Sequence, residues 1–191
     1  CNQGCRGSIT PSASPPYYSG SCVTFEDSNL VTPSYADALY KWGVPSSKWV
    51  LCYQMQHGNS FDFHKSCDYV GPTVTVAKLS TSHLVGGYLS VDWTSSGAYK
   101  NDPDAFLFSL TNRFKHTQTS RGGAAFDVSY YGPTFGGGYD LHLNDAGGSC
   151  NIGYSYICRM GSYYSSECRN DFCGAYSGWT IMELEVFKKV A

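Results

Sequence analysis

TVTVAKLSTSHLVGGYLSVDW, residues 73–93, reads as two strands joined by a polar turn. Val74, Val76 and Leu79 on the first run and Val85, Tyr88 and Leu89 on the second are the β-branched, aliphatic and aromatic types that a pleated, half-buried surface accepts. The same signature recurs outward from this pair. It appears at WVLCYQM (49–55), AFLFSLT (105–111), AAFDVSYY (124–131), YDLHLN (139–144) and WTIMELEVFKK (179–189), with Gly and Pro turns between. Seven such segments predict a mainly β chain, an antiparallel β sandwich with a few short helices. One helix is expected over 34–42, where Tyr35, Leu39 and Trp42 share a face and Ser34 caps the start. Past the HGNS turn, Phe61 to Cys67 reads as a short helix or turn. Residues 1–30 form a cysteine-containing irregular arm, and 31–191 form a single domain.

The composition narrows the function. Charged residues make up 15% of the 191, well under the usual ~25%, and 21 Gly and 16 Tyr stand in their place. A surface polar through hydroxyls and amides is closer to a paratope or a sugar site than to a cytosolic enzyme. Net charge is −2 and no Lys/Arg run exists, which argues against nucleic-acid binding. No apolar stretch approaches the ~20 residues of a spanning helix, so membrane insertion is not expected.

Nine cysteines, at 1, 5, 22, 52, 67, 150, 158, 168 and 173, lack the paired knuckles of a zinc site. They read as disulfides of a secreted, extracellular protein, and Cys1 reads as a processed mature end. Cys150, Cys158, Cys168 and Cys173 fall in 145–178, a segment without clear period, which predicts a stapled loop system paired largely within itself or to the arm. The odd count leaves at least one thiol over. A disulfide-linked homodimer through Cys1, Cys5 or Cys22 is expected from it.

The blocks FHKSCDYVGPTVTVAK (63–78), VGGYLSVDW (85–93), YKNDPDAFLFSLTN (99–112), YGPTFGGGYDLHLND (131–145), NIGYSY (151–156) and ELEVFK (183–188) together resemble the TLDc domain family. The resemblance runs from about Trp49 to Val190. It implies a sandwich of TLDc type, two antiparallel sheets flanked by a few helices, here with disulfide-stapled loops. It also implies intracellular relatives associated with oxidation resistance and with the vacuolar proton pump, and it supplies no catalytic residues. The cysteine-rich arm and the four cysteines of 145–178 depart from that pattern.

Enzymatic chemistry is not expected. There is no G-x-S-x-G elbow, no H-E-x-x-H and no phosphate loop, and the five histidines are scattered. FGGG (135–138) leads into a strand and reads as a tight turn needing positive φ. Glu183 and Glu185 share a strand face and read as solvated rather than as an acid pair. Asp102 reads as the start of a turn, with calcium binding by Asp102 and Asp104 the alternative. A second calcium candidate is Asp140, Asn144 and Asp145, with Asn151, Glu167, Asn170 and Asp171 in the loops that follow. Near these, Tyr154, Tyr156, Tyr163, Tyr164, Tyr176 and Trp179 crowd one segment and offer faces on which sugar rings stack. Cys67 reads as a buried packing thiol, with a redox role the weaker reading.

These features lead to a lectin-like, secreted binding protein, calcium-assisted, recognising glycans or glycoproteins on cell surfaces. Its ligand residues are expected to be Asp140, Asn144, Asp145, Tyr154, Tyr156 and Trp179. An extracellular structural or assembly protein, and an oxidative-protection role like that of the intracellular relatives, are the alternatives.

Overall fold

The computed structural model describes residues 23–56, 62–144 and 147–190. In chain order its elements are β1 (Thr24–Phe25), α1 (Pro33–Trp42), β2 (Lys48–Gln56), α2 (Phe63–Cys67), β3 (Thr73–Leu79), β4 (Leu84–Leu89) and β5 (Ala98–Lys100). There follow β6 (Phe106–Ser109), β7 (Phe114–Thr117), β8 (Ala125–Asp127), β9 (Thr134–Phe135), β10 (Leu141–Asn144), β11 (Gly147–Ser149), α3 (Ser166–Cys173) and β12 (Ile181–Lys189). The expected mainly β sandwich is the observed fold. One sheet has seven strands in the order β1-β2-β12-β3-β4-β6-β7, and the other has five in the order β11-β10-β9-β8-β5. Every pairing is antiparallel except that of β1 with β2.

The larger sheet is buried on both faces, which explains why its strands read as apolar runs rather than clean alternations. On the side facing the smaller sheet, Ala77, Leu79, Val85, Leu107, Leu184 and Val186 pack with Phe135, Leu141 and Leu143. On the other side Val74, Val76, Tyr88, Phe106 and Phe108 pack under Ala36 and Leu39 of α1. The α1 helix begins one turn position earlier than its sequence suggested. Thr32, not Ser34, is the cap, its Oγ1 accepting the Tyr35 N–H at 3.3 Å, because Pro33 suits the first helical position. Glu185 is buried rather than solvated, a correction to the sequence reading. It accepts from the Ser28 hydroxyl at 2.6 Å and the Asn29 N–H at 2.8 Å, and Glu183 accepts from Asn29 Nδ2 at 2.7 Å. The two acids clasp the loop before α1.

Three disulfides staple the described chain: Cys52–Cys67, Cys150–Cys173 and Cys158–Cys168. The last four cysteines pair among themselves, the first of the two arrangements their clustering left open. Cys67 is bridged to Cys52 and ties α2 to β2, so it is neither a free packing thiol nor a redox thiol. Cys1, Cys5 and Cys22 lie outside the described residues.

Candidate functional site

Asp140 has no exposed surface. Its Oδ1 accepts the backbone N–H groups of Gly153, Tyr154, Ser155 and Tyr156 at 3.0–3.1 Å, and Oδ2 accepts Ser155 N–H as well at 3.1 Å. Burial pushes this carboxyl's pKa up, while the four amides pull it the other way. Such a carboxylate is a clamp on the 153–156 loop, and its lone pairs are not available to calcium or sugar. Gly136 makes the clamp possible. It sits at φ 84°, and a Cβ there would lie 2.1 Å from Asp140 Oδ2.

The other expected ligands divide. Tyr156 is fully buried and donates its hydroxyl to the Ala124 carbonyl at 2.6 Å, and Trp179 is buried in the main core. Neither presents a face to solvent, because the loop carrying Tyr156 is drawn inward by Asp140. Asn144 Nδ2 donates to His142 Nε2 at 2.9 Å, and that ring's Nδ1–H donates to Thr134 Oγ1 at 2.7 Å. The tautomer follows from Thr134, whose own hydroxyl hydrogen goes to the Gly132 carbonyl at 2.9 Å. Asp145 lies outside the described residues. Tyr154 is half-buried, and of the expected residues it belongs to an open aromatic surface.

That surface is longer than the sequence suggested. On the outer face of the five-stranded sheet, Tyr99 of β5 lies opposite Phe126 of β8, ring centroids 4.6 Å apart. Alternation sends Ala125 and Asp127 inward and leaves Phe126 outside. Phe126 meets Tyr139 at 5.8 Å and Tyr131 at 6.1 Å, and Tyr131 meets Tyr130 at 5.0 Å. In the other direction the Tyr99 hydroxyl lies 3.5 Å from the Gly137 carbonyl oxygen. A Cβ on the same glycine would sit 3.5 Å from Tyr154 Cε1. Tyr154 then contacts Tyr163, and Tyr163 contacts Tyr164, each at 5.3 Å. Arg169 of α3 ends the row, 3.8 Å from the Tyr164 ring and 4.5 Å from that of Tyr176. Along this belt Tyr130 is 78% exposed and Tyr99 52% exposed. The Tyr139 hydroxyl is kept protonated, its pKa pushed up to about 12 by burial and then by a hydrogen bond with Tyr131.

At the Tyr130 end the belt borders a small cleft of about 120 Å³, lined by residues including His64, Ser129, Tyr131 and Asn144. Beneath it His64, Asp68 and Asp127 bring ligating atoms within 4.8 Å of one another. Hydrogen bonds account for most of their oxygens. Asp68 accepts from His64 Nδ1–H and from the Ser95 hydroxyl, both at 2.6 Å. Asp127 accepts from Thr94, Ser95 and Ser96 and from Lys100 Nζ at 3.0 Å. The Lys100 charge and these donors hold Asp127 below the usual carboxylate range against its burial. This polar knot pins the loop between β4 and β5 to α2, and so fixes the strand that carries Tyr99.

Asp102 is likewise internal, accepting from Ser90 N–H, from the Ser90 hydroxyl and from Asp104 N–H at 2.5–3.1 Å, the last closing the turn before β6. Among the described residues no helix is long and apolar enough to cross a membrane.

A family model for the TLDc domain matches residues 24–189. No curated protein matches the chain.

Proposed function

We propose, proceeding from the fact that this chain belongs to the TLDc domain family, that this member is an extracellular glycan-binding module that reads an extended sugar chain on its tyrosine belt. Membership in a family specifies the fold and leaves the function to the surface grafted on it. The observation that supports the reading is the belt itself, which continues from Tyr130 to Tyr176 through ring and backbone contacts. Sugar rings present apolar C–H faces that suit tyrosine faces, and their hydroxyls suit the phenol, hydroxyl and amide groups between. The rings are preorganised, which lowers the entropy lost on binding. Tyr99 and Phe126 stand on strands, and Tyr163 and Tyr164 stand inside both nested disulfide loops of the stapled segment. Three disulfides in the described chain support an oxidising compartment.

Recognition on this reading runs through ring faces and neutral polar groups. Because Asp140 is committed to four amides, binding is expected to survive EDTA. The test is a polysaccharide binding assay, with hemagglutination and its inhibition by sugars as a second readout. The Tyr99→Ala, Tyr130→Ala double variant should bind at least tenfold more weakly, about 1.4 kcal/mol. Both positions are exposed, so the fold should survive. Failure of the wild-type protein to bind any glycan, or equal binding by the double variant, would defeat the reading.

A further inference from the structure

Among the described residues, Arg169 is a buried cation without an anion. It is 5% exposed, and its Nε and Nη2 have no hydrogen-bond partner. Among the described residues it makes no ion pair. Of the acids near it in sequence, Asp171 pairs with Arg159, and Glu167 stands exposed and makes no ion pair with it. A charge taken out of water needs hydrogen-bonding partners of opposite sign, and two aromatic faces only partly replace them. The two orphaned nitrogens are also adjacent. Nε–H and the neighbouring Nη2–H form one edge of the guanidinium, the fork that grips two oxygens of a carboxylate or sulfate at once.

From this we infer that Arg169 is the receptor for an oxyanion, and that the glycan on the belt carries acidic groups, either carboxylate or sulfate. The ligand class rests on the glycan reading, whereas the anion site stands on Arg169 alone. Tyr164 and Tyr176 flank the guanidinium and are themselves 54% and 51% exposed, and the inference requires one of them to turn outward when the anion enters. Tyr176 lies between Gly174 and Gly178, both at positive φ, and Gly161, also at positive φ, precedes Tyr164. Arg169 itself is held on α3 between Cys168 and Cys173, each bridged to the loop before it, so the fork stays in place while the rings move. An anion gripped here sits at the end of the row Tyr154–Tyr163–Tyr164, in line with a sugar chain lying along it.

Two measurements decide the matter. In the wild-type protein labelled with nitrogen-15, sodium sulfate or sodium acetate should shift the Arg169 Nε resonance, with sodium chloride at equal ionic strength as control. Which of the two anions acts at lower concentration distinguishes sulfate from carboxylate. In parallel, neutral, carboxylated and sulfated polysaccharides are compared on the wild type, Arg169→Lys and Tyr99→Ala. The inference expects Arg169→Lys, which keeps the charge and loses the fork, to weaken the acidic polymer at least tenfold and leave the neutral one unchanged. Tyr99→Ala should weaken both. Absence of any anion-specific shift at Arg169 overturns the inference, as does equal weakening of acidic and neutral polymers by a folded Arg169→Lys. If the resonance shifts and no polymer binds, the anion site stands and the glycan reading falls.

Discussion

Asp140 and His116 show how single buried polar groups hold this molecule together and report on it. Asp140→Ala would strand four backbone N–H groups at 153–156 inside the protein. The expected loss is about 3 kcal/mol in urea unfolding, since unsatisfied buried donors carry most of their desolvation cost. Asp140→Asn keeps one acceptor oxygen and should lose less. Equal stability of Asp140→Ala and wild type would refute the clamp. His116 donates Nδ1–H to the Ile157 carbonyl at 2.8 Å, packs against Phe114 and Phe172, and leaves Nε2 buried without a partner. Burial pulls its pKa down to about 4 from an ordinary 6.5. The unfolded chain therefore binds the proton first as pH falls. The stabilisation from keeping this ring neutral is complete above pH 6.5 and is lost as pH falls toward 4, on the order of 3 kcal/mol in all. Unfolding curves between pH 7 and 4 should show that loss in wild type and a smaller one in His116→Gln. Parallel curves would show that His116 is not the group responsible.

The elements that matter most are joined at points where no larger residue fits. On β4 a Cβ at Gly86 would lie 1.9 Å from the Thr75 carbonyl oxygen and 2.7 Å from the Phe108 ring, and one at Gly87 would lie 2.6 Å from Phe135. The clash at Gly86 is with backbone, which cannot rotate away, so Gly86→Ala should destabilise by about 3 kcal/mol. A thermal midpoint within a degree of wild type would contradict the strand packing. In the stapled segment Cys150–Cys173 spans 23 positions, and replacing both by Ala should lower stability by about 3 kcal/mol through unfolded-state entropy. Legibility followed element length. The long runs at 73–79, 84–89 and 181–189 were read because enough residues carried the pattern, and the four-residue β6 because Phe106, Leu107 and Phe108 make a continuous apolar run. β5, β7, β9 and β11, of two to four residues each, are too short to show a period and were missed. The α3 helix was read as loop because its buried side is made of Cys168, Arg169, Phe172 and Cys173, types that do not write an apolar stripe.

Across the whole molecule, the belt exists because three separate stretches of chain, around Tyr99, at 126–139 and at 154–176, converge on one side of the five-stranded sheet. With six cysteines bridged in the described chain, the remaining three, Cys1, Cys5 and Cys22, are an odd set. At least one of them lacks a partner within the chain. A covalent homodimer on non-reducing electrophoresis, collapsing to monomer with reductant, is the expected outcome, and two belts per particle would bind a polymeric sugar with avidity beyond one site. A lone monomer band in native, unreduced protein would remove the dimer. The β class, the sandwich, a disulfide-stapled segment at 145–178 and a tyrosine-rich segment after Tyr139 were all determined by the sequence, because burial and turn chemistry act through local pattern, whereas the connectivity of the last four cysteines was left open until the fold. Which polar and aromatic groups face water was decided only in three dimensions. Asp140, Tyr156 and Trp179 look like surface ligands in one dimension. In the fold they are internal, because a carboxylate that finds four amides, and rings that find a core, are more stable there than in solvent. Tyr99, Phe126, Tyr130 and Tyr131 came to the surface by the opposite route, through strand alternation and a sheet face that no other described element covers.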